Sequence, residues 1–161
     1  MPIQKLQDFL DSHDIKYVVI SHSVAYTAQG IAALTHISGK ELAKTVIVKI
    51  DGALAMALLP ASLHVDLSQL RSAAGAKNVA LASEEEFKER FPDCETGAMP
   101  PFGNLYDMPV FADESLARVK EIAFNAGSHR ELVRLAWDDF VRLVEPKIVR
   151  FAAGSSHSTA A

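Results

Sequence analysis

Short blocks of apolar and polar residues follow one another along the chain, and the spacing within each block predicts its element. Near the N-terminus, apolar residues recur at the spacing of one helix face: Ile3, Leu6, Phe9 and Leu10. The β-branched and aromatic run 17–20 predicts a strand that ends near His22. Thr27 then suits the N-cap of a helix through Leu34, which must end by Gly39.

A β-hairpin is the clearest local prediction. Two runs of mostly apolar residues, 45–50 and 54–59, flank Asp51 and Gly52. An Asp-Gly pair suits the two-residue turn that joins antiparallel strands, because both of its residues need positive φ. Pro60 cannot donate to a ladder hydrogen bond, so we expect the second strand to close there.

Cap residues predict where the helices in the middle of the chain begin and end. Asp66 is a suitable N-cap for a short helix that stops at Gly75, where a left-handed residue is expected. Ser83 and Glu86 have the spacing of a capping box and predict a second helix start. Pro92 ends that helix because proline cannot donate to a helical hydrogen bond.

Several further short segments are rich in β-formers and predict strands: 78–82, 110–111, 119–124, 131–136 and 148–151. Asp138 or Asp139 starts a last short helix. Strands and helices do not alternate regularly, which excludes a doubly wound fold. We therefore expect an α+β fold with a mixed, strongly curved, barrel-like β-sheet surrounded by short helices. Residues 1–151 form a single domain in this interpretation, and 152–161 form a flexible C-terminal tail.

The composition is that of an ordinary globular protein, with 161 residues, 49% hydrophobic and 22% charged. No apolar run approaches the roughly 20 residues that cross a bilayer, and the N-terminus does not resemble a signal peptide, so we expect no membrane association. The single cysteine, Cys94, excludes an internal disulfide and favours a cytoplasmic location. The net charge of −4 argues against a protein that coats nucleic acid, but it permits binding to one nucleotide end.

Two irregular stretches and one lysine depart from this regular pattern, and such departures are often sites. Residues 97–103, Gly-Ala-Met-Pro-Pro-Phe-Gly, contain two prolines and a glycine at each end. Residues 125–129, Asn-Ala-Gly-Ser-His, separate two predicted strands. Both stretches are either surface turns or parts of a site. Lys44 either snorkels from a strand end or provides a fixed positive charge for a phosphate or carboxylate.

Other chemical signals are weak. The six histidines lack the spacing of metal ligands, and no phosphate-binding glycine motif is present, so we expect neither a metal nor another cofactor. Ser128 and His129 are adjacent on a strand-like segment and would point to opposite faces, which disfavours a nucleophile–base pair. Cys94 remains the nucleophile of an alternative hydrolase, if a base lies near it in the fold.

Four segments in consistent order resemble the YbaK/ProX family, the stand-alone relatives of the editing domain of bacterial prolyl-tRNA synthetase. They are His22 with Tyr26 and Thr27, residues 41–45, Gly97-x-x-x-Pro101-x-Gly103, and residues 125–129. The resemblance spans nearly the whole chain. It implies a trans-editing hydrolase that deacylates a mischarged aminoacyl-tRNA by attack of a positioned water on the ester, releasing a small amino acid such as Ala, Ser or Thr.

The resemblance also implies a role for each matching residue. Lys44 would hold the phosphate of the terminal adenosine, while loop backbone would position the ester and the water. The residues implied in catalysis are Lys44, Gly97, Gly103 and Gly127. Those implied in substrate binding are His22, Tyr26, Thr45, Pro101, Ser128 and His129. His129 matches the alanine-editing branch, which disfavours a cysteinyl-tRNA substrate.

The implied partner is the acceptor end of an aminoacyl-tRNA, with an aminoacyl-tRNA synthetase as a further candidate. Because the chain is acidic, tRNA contact would depend on that synthetase or on a local basic patch: Lys40, Lys44, Lys49 and Arg71. We expect a monomer or a weak homodimer. The alternative function is a non-catalytic binding module of the same fold, which recognises an aminoacyl-adenosine-like or other small ligand.

Overall fold

The computed structural model describes residues 3–24, 30–31, 35 and 37–154. Within this part, the helices are α1 (Gln4–Ser12), α2 (Leu67–Ala74), α3 (Glu84–Phe87) and α4 (Trp137–Val144). The strands are β1 (Tyr17–Ser21), β2 (Ala43–Ile50), β3 (Ala53–Pro60), β4 (His64–Val65), β5 (Val79–Leu81), β6 (Val110–Asp113), β7 (Glu121–Asn125), β8 (Glu131–Ala136), β9 (Lys147–Val149) and β10 (Ala152–Ala153). Three short 3-10 segments connect them: Lys88–Arg90, Gly103–Leu105 and Glu114–Arg118.

The predicted hairpin is confirmed as the pair β2–β3. Its turn residues Asp51 and Gly52 have φ values of 50° and 85°, as a two-residue turn requires. The register places Ile50 opposite Ala53 and continues without interruption along both strands. Pro60 is the last residue of β3, as expected.

The ten strands of the described residues are shared among three sheets. The largest has the order β5-β2-β3-β6-β9 and is mixed, because β6 and β9 run parallel to their neighbours. The others are an antiparallel sheet β1-β8-β7 and the pair β10-β4. A parallel bridge between Leu42 and Ala123 links the two larger sheets. The α+β class and the mixed sheet are confirmed, and within the described residues none of the three sheets closes on itself.

Two clusters of buried side chains cover the two faces of the five-stranded sheet. In the larger cluster, the Phe102 ring centroid lies 5.6 Å from those of Phe124 and Phe140. Burial of a phenylalanine contributes about 1.5–3 kcal/mol, so Phe102 fixes the 97–103 loop to the core. On the other face, Leu70 of α2 and Phe151 pack over β2 and β3.

The predicted caps are present. Asp66 Oδ1 accepts a hydrogen bond of 3.1 Å from the Gln69 N–H, and Gly75 ends α2 with φ 65°. At α3, Ser83 and Glu86 form the capping box, in which Glu86 Oε1 accepts from the Ser83 N–H at 2.9 Å. Both caps act within four residues, which explains why a local pattern identified them.

The last helix begins one or two residues earlier than predicted. Trp137 is the first residue of α4, and its N-cap, Ala136, makes no side-chain capping bond. Asp138 and Asp139 instead lie in the first turn, where negative charge is favoured by the helix dipole. Burial of the Trp137 ring therefore determines the helix start more strongly than a polar cap does.

Near the C-terminus, the chain leaves the five-stranded sheet after β9. Asp113 Oδ1 accepts hydrogen bonds from the N–H groups of Phe151 (2.9 Å) and Ala152 (2.8 Å). These bonds place Ala152 and Ala153 beside β4. The predicted strand 148–151 is thus replaced by β9 and β10, and strand structure extends past the predicted boundary at 151.

Some predictions fall on residues that the structure does not describe. Most of the helix predicted from Thr27 to Leu34 lies outside the described residues, although Gly30, Ile31 and Thr35 have helical backbone. The part of the predicted tail from 155 onwards also lies outside them. Among the described helices, none has the length and apolar character needed to cross a membrane.

Candidate functional site

A cleft of about 310 Å³ lies beside the first half of β2. It opens there because β5 pairs with β2 only at residues 48–50, after which the chain turns into α3. Its walls come from β2, from the segment between β5 and α3, and from the 97–103 loop: Lys44, Thr45, Val46, Ile47, Leu81, Ala82, Phe87, Gly97 and Met99. The cleft therefore joins three residues that the sequence singled out, Lys44, Thr45 and Gly97.

Lys44 provides a positive charge at this cleft. Its side chain is half-buried, and burial lowers its pKa below the ordinary value of 10.5 because the ammonium group loses part of its hydration. Among the described residues, no carboxylate forms an ion pair with it. An anion bound in the cleft would replace the lost hydration, so the site suits a phosphate or a carboxylate.

The two irregular stretches meet, although they are far apart in the sequence. The Glu95 N–H donates to the Gly127 carbonyl at 2.8 Å, and the Gly127 N–H donates to the Ala98 carbonyl at 2.9 Å. Both backbone groups of Gly127 are thus used to hold the segment on either side of Gly97. The 125–129 turn is a support for the loop at the cleft.

His129 strengthens the same junction. Its backbone N–H donates to Glu95 Oε1 at 2.9 Å, and its ring Nε2 lies 2.8 Å from the Thr96 carbonyl oxygen. A carbonyl oxygen only accepts, so Nε2 must carry a proton and donate it. The buried ring of His129 therefore positions the loop, and its Nε2 does not serve as a general base.

Gly97 presents backbone to the cleft, with a φ of 86° that side-chain-bearing residues rarely adopt. A Cβ at this position would lie 3.5 Å from Cε1 of His129, which is an ordinary contact distance. Backbone conformation, and not lack of space, is therefore the reason for glycine here.

Gly103 and Gly127, which the resemblance implies in catalysis, are not in the wall of this cleft. A Cβ on Gly103 would lie 2.6 Å from Cγ2 of Val110, inside the protein. A Cβ on Gly127, whose φ is 103°, would overlap Cγ2 of Ile3. The Ile3 N–H also donates to the Ala126 carbonyl at 3.1 Å. Both glycines therefore permit close internal packing and do not line the cleft.

The other predicted substrate-binding residues are distributed around the site. Thr45 lies in the cleft wall, and its buried hydroxyl oxygen has no hydrogen-bond partner in the part of the chain that the structure describes. Pro101 is buried and does not line the cleft. Tyr26 lies outside the described residues.

His22 and Ser128 lie beside the supporting turn and not in the cleft wall. The His22 N–H donates to the Arg130 carbonyl at 2.8 Å, and its Nδ1 is 2.6 Å from the Ser23 carbonyl. Ser128 Oγ accepts from the Arg130 N–H at 3.3 Å and lies 3.5 Å from Glu131 Oε1. These contacts give both residues a structural role at the junction of β1 and β8.

Cys94 has the properties of an unreactive thiol. Burial raises its pKa to about 11, and the nearby Asp93 carboxylate acts in the same direction. Its sulfur lies 3.5 Å from the Tyr106 hydroxyl and 3.7 Å from Asp93 Oδ1. The thiol is therefore protonated at neutral pH, which opposes the alternative of a cysteine hydrolase.

Sequence reasoning missed the apolar walls and the support of this cleft. In the sequence, Leu81, Phe87 and Met99 have the pattern of ordinary core residues. Their location beside the open edge of β2 depends on the tertiary fold, so no local pattern predicts it. Glu95 gave a weak signal as an acidic residue just before the glycine loop. Within the described residues, no group of three or more His, Cys, Asp or Glu side chains is arranged to hold a metal ion.

A second surface groove of about 380 Å³ adjoins the cleft along β5. Val79 lines the groove and Leu81 lines the cleft, and alternation puts these two side chains on the same face of β5. Arg71 and Lys77 also line it, and both are exposed without an ion-pair partner among the described residues. Lys49 is different, because its ammonium group binds Glu86 at 2.5 Å.

The model of a family described as the aminoacyl-tRNA editing domain matches residues 22–143. The multifunctional Ser/Thr-tRNA deacylase ProXp-y of Escherichia coli K12 is 31% identical over 153 residues, which cover 92% of this chain and 91% of that protein. A proline–tRNA ligase of Bacillus mycoides is 30% identical over 89 residues, which cover 55% of this chain and 16% of the ligase.

The fold also matches solved structures. The crystal structure of a proposed trans-editing enzyme for prolyl-tRNA synthetase superposes with a TM-score of 0.80. The superposition covers 94% of this chain and 96% of that chain, at 20% sequence identity. At this identity, the likeness shows a common fold.

Proposed function

This chain belongs to the aminoacyl-tRNA editing domain family, and from that premise we propose that it is a trans-editing deacylase. Its reaction is the hydrolysis of the ester that joins a wrongly attached amino acid to the terminal adenosine of a tRNA. Family membership confirms the YbaK/ProX resemblance that the four sequence motifs indicated. No metal or other cofactor enters this proposal.

The observation that carries the proposal is the meeting of Lys44, Thr45 and Gly97 at one cleft. In our proposal the half-buried ammonium group of Lys44 binds the phosphate of the terminal adenosine. That ion pair fixes the adenosine while the ester lies against the backbone of β2 and Gly97. Lys44 then acts by positioning the substrate, because it binds the phosphate and takes no part in the proton transfers of hydrolysis.

Hydrolysis in this site needs no side-chain nucleophile. An aminoacyl ester is already reactive, so the gains from positioning and from backbone N–H donors facing the developing oxyanion are sufficient. The junction of Glu95, Gly127 and His129 keeps the loop backbone in one geometry before the substrate arrives. Such preorganised dipoles do not need to rearrange during the reaction.

We propose a small amino acid, with Ser and Thr first and Ala next. The cleft of about 310 Å³ must hold part of the adenosine together with the amino acid, which leaves little room for a large side chain. The relative named a Ser/Thr-tRNA deacylase supports the first choice. An apolar pocket discriminates weakly between neighbours that differ by one methyl or hydroxyl group, so we expect overlapping activity on these three.

The proposed partner is the acceptor end of the tRNA, which this protein binds either alone or together with a synthetase. We propose that it acts in the cytoplasm as a monomer or a weak homodimer. Arg71 and Lys77 are suited to contact phosphates next to the cleft, while Lys49 is already paired with Glu86. We expect Arg71→Glu with Lys77→Glu to lower kcat/KM on full-length tRNA at least tenfold and to reduce its salt dependence. Hydrolysis of aminoacyl-adenosine monophosphate should change less than twofold, because that substrate does not reach the groove.

A panel of mischarged tRNAs tests the function itself. Purified protein should release Ser, Thr or Ala from the panel and leave large amino acids attached. Lys44→Ala should reduce the rate, and Lys16→Ala, which removes a cation from an exposed position outside the cleft wall, serves as its control. Binding of aminoacyl-adenosine without any turnover would instead favour the binding-module alternative.

A further inference from the structure

The hairpin turn determines which way each backbone group of β2 points. In a two-residue hairpin, the residues that flank the turn exchange both backbone hydrogen bonds, and hydrogen-bonded pairs then alternate with non-bonded pairs. Here the flanking residues are Ile50 and Ala53. The residues of β2 that bond to β3 are therefore the even-numbered ones: Lys44, Val46, Val48 and Ile50. The odd-numbered residues direct their N–H and C=O groups to the opposite edge.

Observed hydrogen bonds agree with this alternation. The Ala82 N–H donates to the Ile47 carbonyl at 3.0 Å, on the side of β5. Just beyond β2, the Asp51 N–H donates to the Asn78 carbonyl at 2.8 Å, also on that side. Odd-numbered backbone groups thus point to the edge of β2 that faces away from β3.

The edge of β2 that faces away from β3 is paired along only part of its length. β5 reaches no further along β2 than the Ala82–Ile47 bond, and on the other side Leu42 bridges to Ala123. Between these points, no strand ladder on this edge includes Thr45 or Ile47, and no turn or loop backbone among the described residues bonds to the Thr45 N–H, the Thr45 C=O or the Ile47 N–H. The same residues form the wall of the cleft, together with Lys44 and Gly97. The gap in the sheet and the candidate site are therefore one place.

We propose that the backbone of Thr45 binds the aminoacyl group as if it were one further strand residue. The Thr45 C=O accepts from the α-ammonium group of the substrate, and the Thr45 N–H donates to the ester carbonyl oxygen. An aminoacyl ester carries the same donor, α-carbon and carbonyl sequence as a strand residue, so it completes the ladder that β5 leaves open. The inference deepens the proposed deacylase function and rests on it.

This arrangement contributes to the chemistry and to the binding of the aminoacyl group. When water adds to the carbonyl carbon, the carbonyl oxygen takes the negative charge, and the Thr45 N–H hydrogen bond strengthens as that charge grows. The carbon–ribose oxygen bond then breaks, and the ribose oxygen leaves with the electron pair and takes up a proton that the water gave. The Thr45 C=O accepts a hydrogen bond from the free α-ammonium group. Every mischarged amino acid has this group, so the contact does not depend on the amino-acid side chain.

The test removes one backbone N–H and leaves every side chain in place. Incorporating the α-hydroxy analogue of threonine at position 45 replaces that N–H by an ester oxygen. We expect the single-turnover deacylation rate to fall about 10²–10³-fold, as for the loss of one oxyanion donor. The melting temperature should fall only slightly, because the one affected internal bond is that of the Lys44 carbonyl to β3.

The matched control is the α-hydroxy analogue of valine at Val48, whose N–H faces Ala55 of β3 and lies outside the cleft. We expect a larger loss of melting temperature there, and a deacylation rate within twofold of the unmodified protein. An unchanged rate at position 45 would overturn the inference, as would equal rate losses at both positions.

A binding measurement separates this inference from the function on which it rests. Calorimetry with the non-hydrolysable 3′-amide of seryl-adenosine monophosphate should give about tenfold weaker binding for the position 45 variant than for the unmodified protein. N-acetylation of that ligand should weaken its binding to the unmodified protein by a similar factor. If the unmodified protein hydrolyses no mischarged tRNA, the deacylase function fails. If it is active and the position 45 variant binds and reacts normally, only the proposed contacts of the Thr45 backbone are wrong.

Discussion

Gly127→Ala is expected to destabilise the protein and to leave its chemistry largely intact. The new Cβ would overlap Cγ2 of Ile3, and the residue has a φ of 103°. Backbone strain of this kind costs about 1–2 kcal/mol. Overpacking against a neighbouring side chain adds about 1–3 kcal/mol. The free energy of unfolding should therefore fall by about 2–5 kcal/mol.

For a chain of this length, a loss of 1 kcal/mol lowers the melting temperature by about 2–4 °C. Gly127→Ala should thus melt about 4–20 °C lower in calorimetry. Single-turnover deacylation at 20 °C, scaled to the folded fraction, should stay within about threefold, because Gly127 supports the loop and does not line the cleft. Gly97→Ala provides the contrast, since its Cβ meets His129 at an ordinary 3.5 Å. We expect a smaller stability loss and a larger loss of rate for Gly97→Ala.

The double variant Ile3→Ala with Gly127→Ala isolates the steric part of this cost. Ile3→Ala removes the atoms that the new Cβ would overlap, so the coupling between the two changes should be favourable by about 1–3 kcal/mol. The reasoning is refuted if Gly127→Ala keeps its melting temperature within 1 °C of the parent. It is equally refuted if the double variant shows no recovery, or if the stable fraction of Gly127→Ala is inactive.

Three further changes follow from the same structure. Lys44→Ala should lower kcat/KM about 10–150-fold with an unchanged melting temperature, because one charge-assisted contact to a phosphate is lost; a normal rate would remove Lys44 from the site. Cys94→Ala should keep most activity, and thiol alkylation should be slow below pH 9, since burial raises the pKa of that thiol to about 11; alkylation that substrate blocks and that abolishes turnover would contradict this. At Asp113, burial alone would raise the pKa, but hydrogen bonds from Phe151, Ser115 and Ala152 outweigh it and lower the pKa below 3.8. The carboxylate therefore stabilises the fold above pH 3.8 and ceases to do so as the pH falls through its lower folded value. Asp113→Asn should cost about 2–4 kcal/mol at pH 7 in urea unfolding and reduce the acid dependence below pH 4; equal acid dependence in both proteins would contradict this.

Features that depend on near neighbours in the sequence were predictable. The turn at Asp51 and Gly52, the N-cap Asp66 and the capping box of Ser83 with Glu86 each involve contacts within a few residues. At the site, Lys44 and Gly97 were identified by their departure from regular patterns, and the structure brings them to one cleft.

The rest depends on contacts between distant parts of the chain. Glycine is needed at position 127 because Ile3 occupies the space of a Cβ there. No local pattern predicts this contact, because the two residues are far apart in the sequence. The same holds for Asp113, which redirects the chain at Phe151 and so replaces one predicted strand by two. The division of strands among three sheets also follows from long-range pairing and not from the period of any segment.

The capping box of Ser83 and Glu86 has a consequence beyond the stability of α3. It turns the chain out of the sheet immediately after β5, and an open sheet edge, normally a risk of association with other chains, remains beside Phe87 and Gly97. The width of the cleft is thus set by the position at which a helix starts. A shift of that start by one or two residues would widen or narrow the cleft without changing any residue of β2 that lines it.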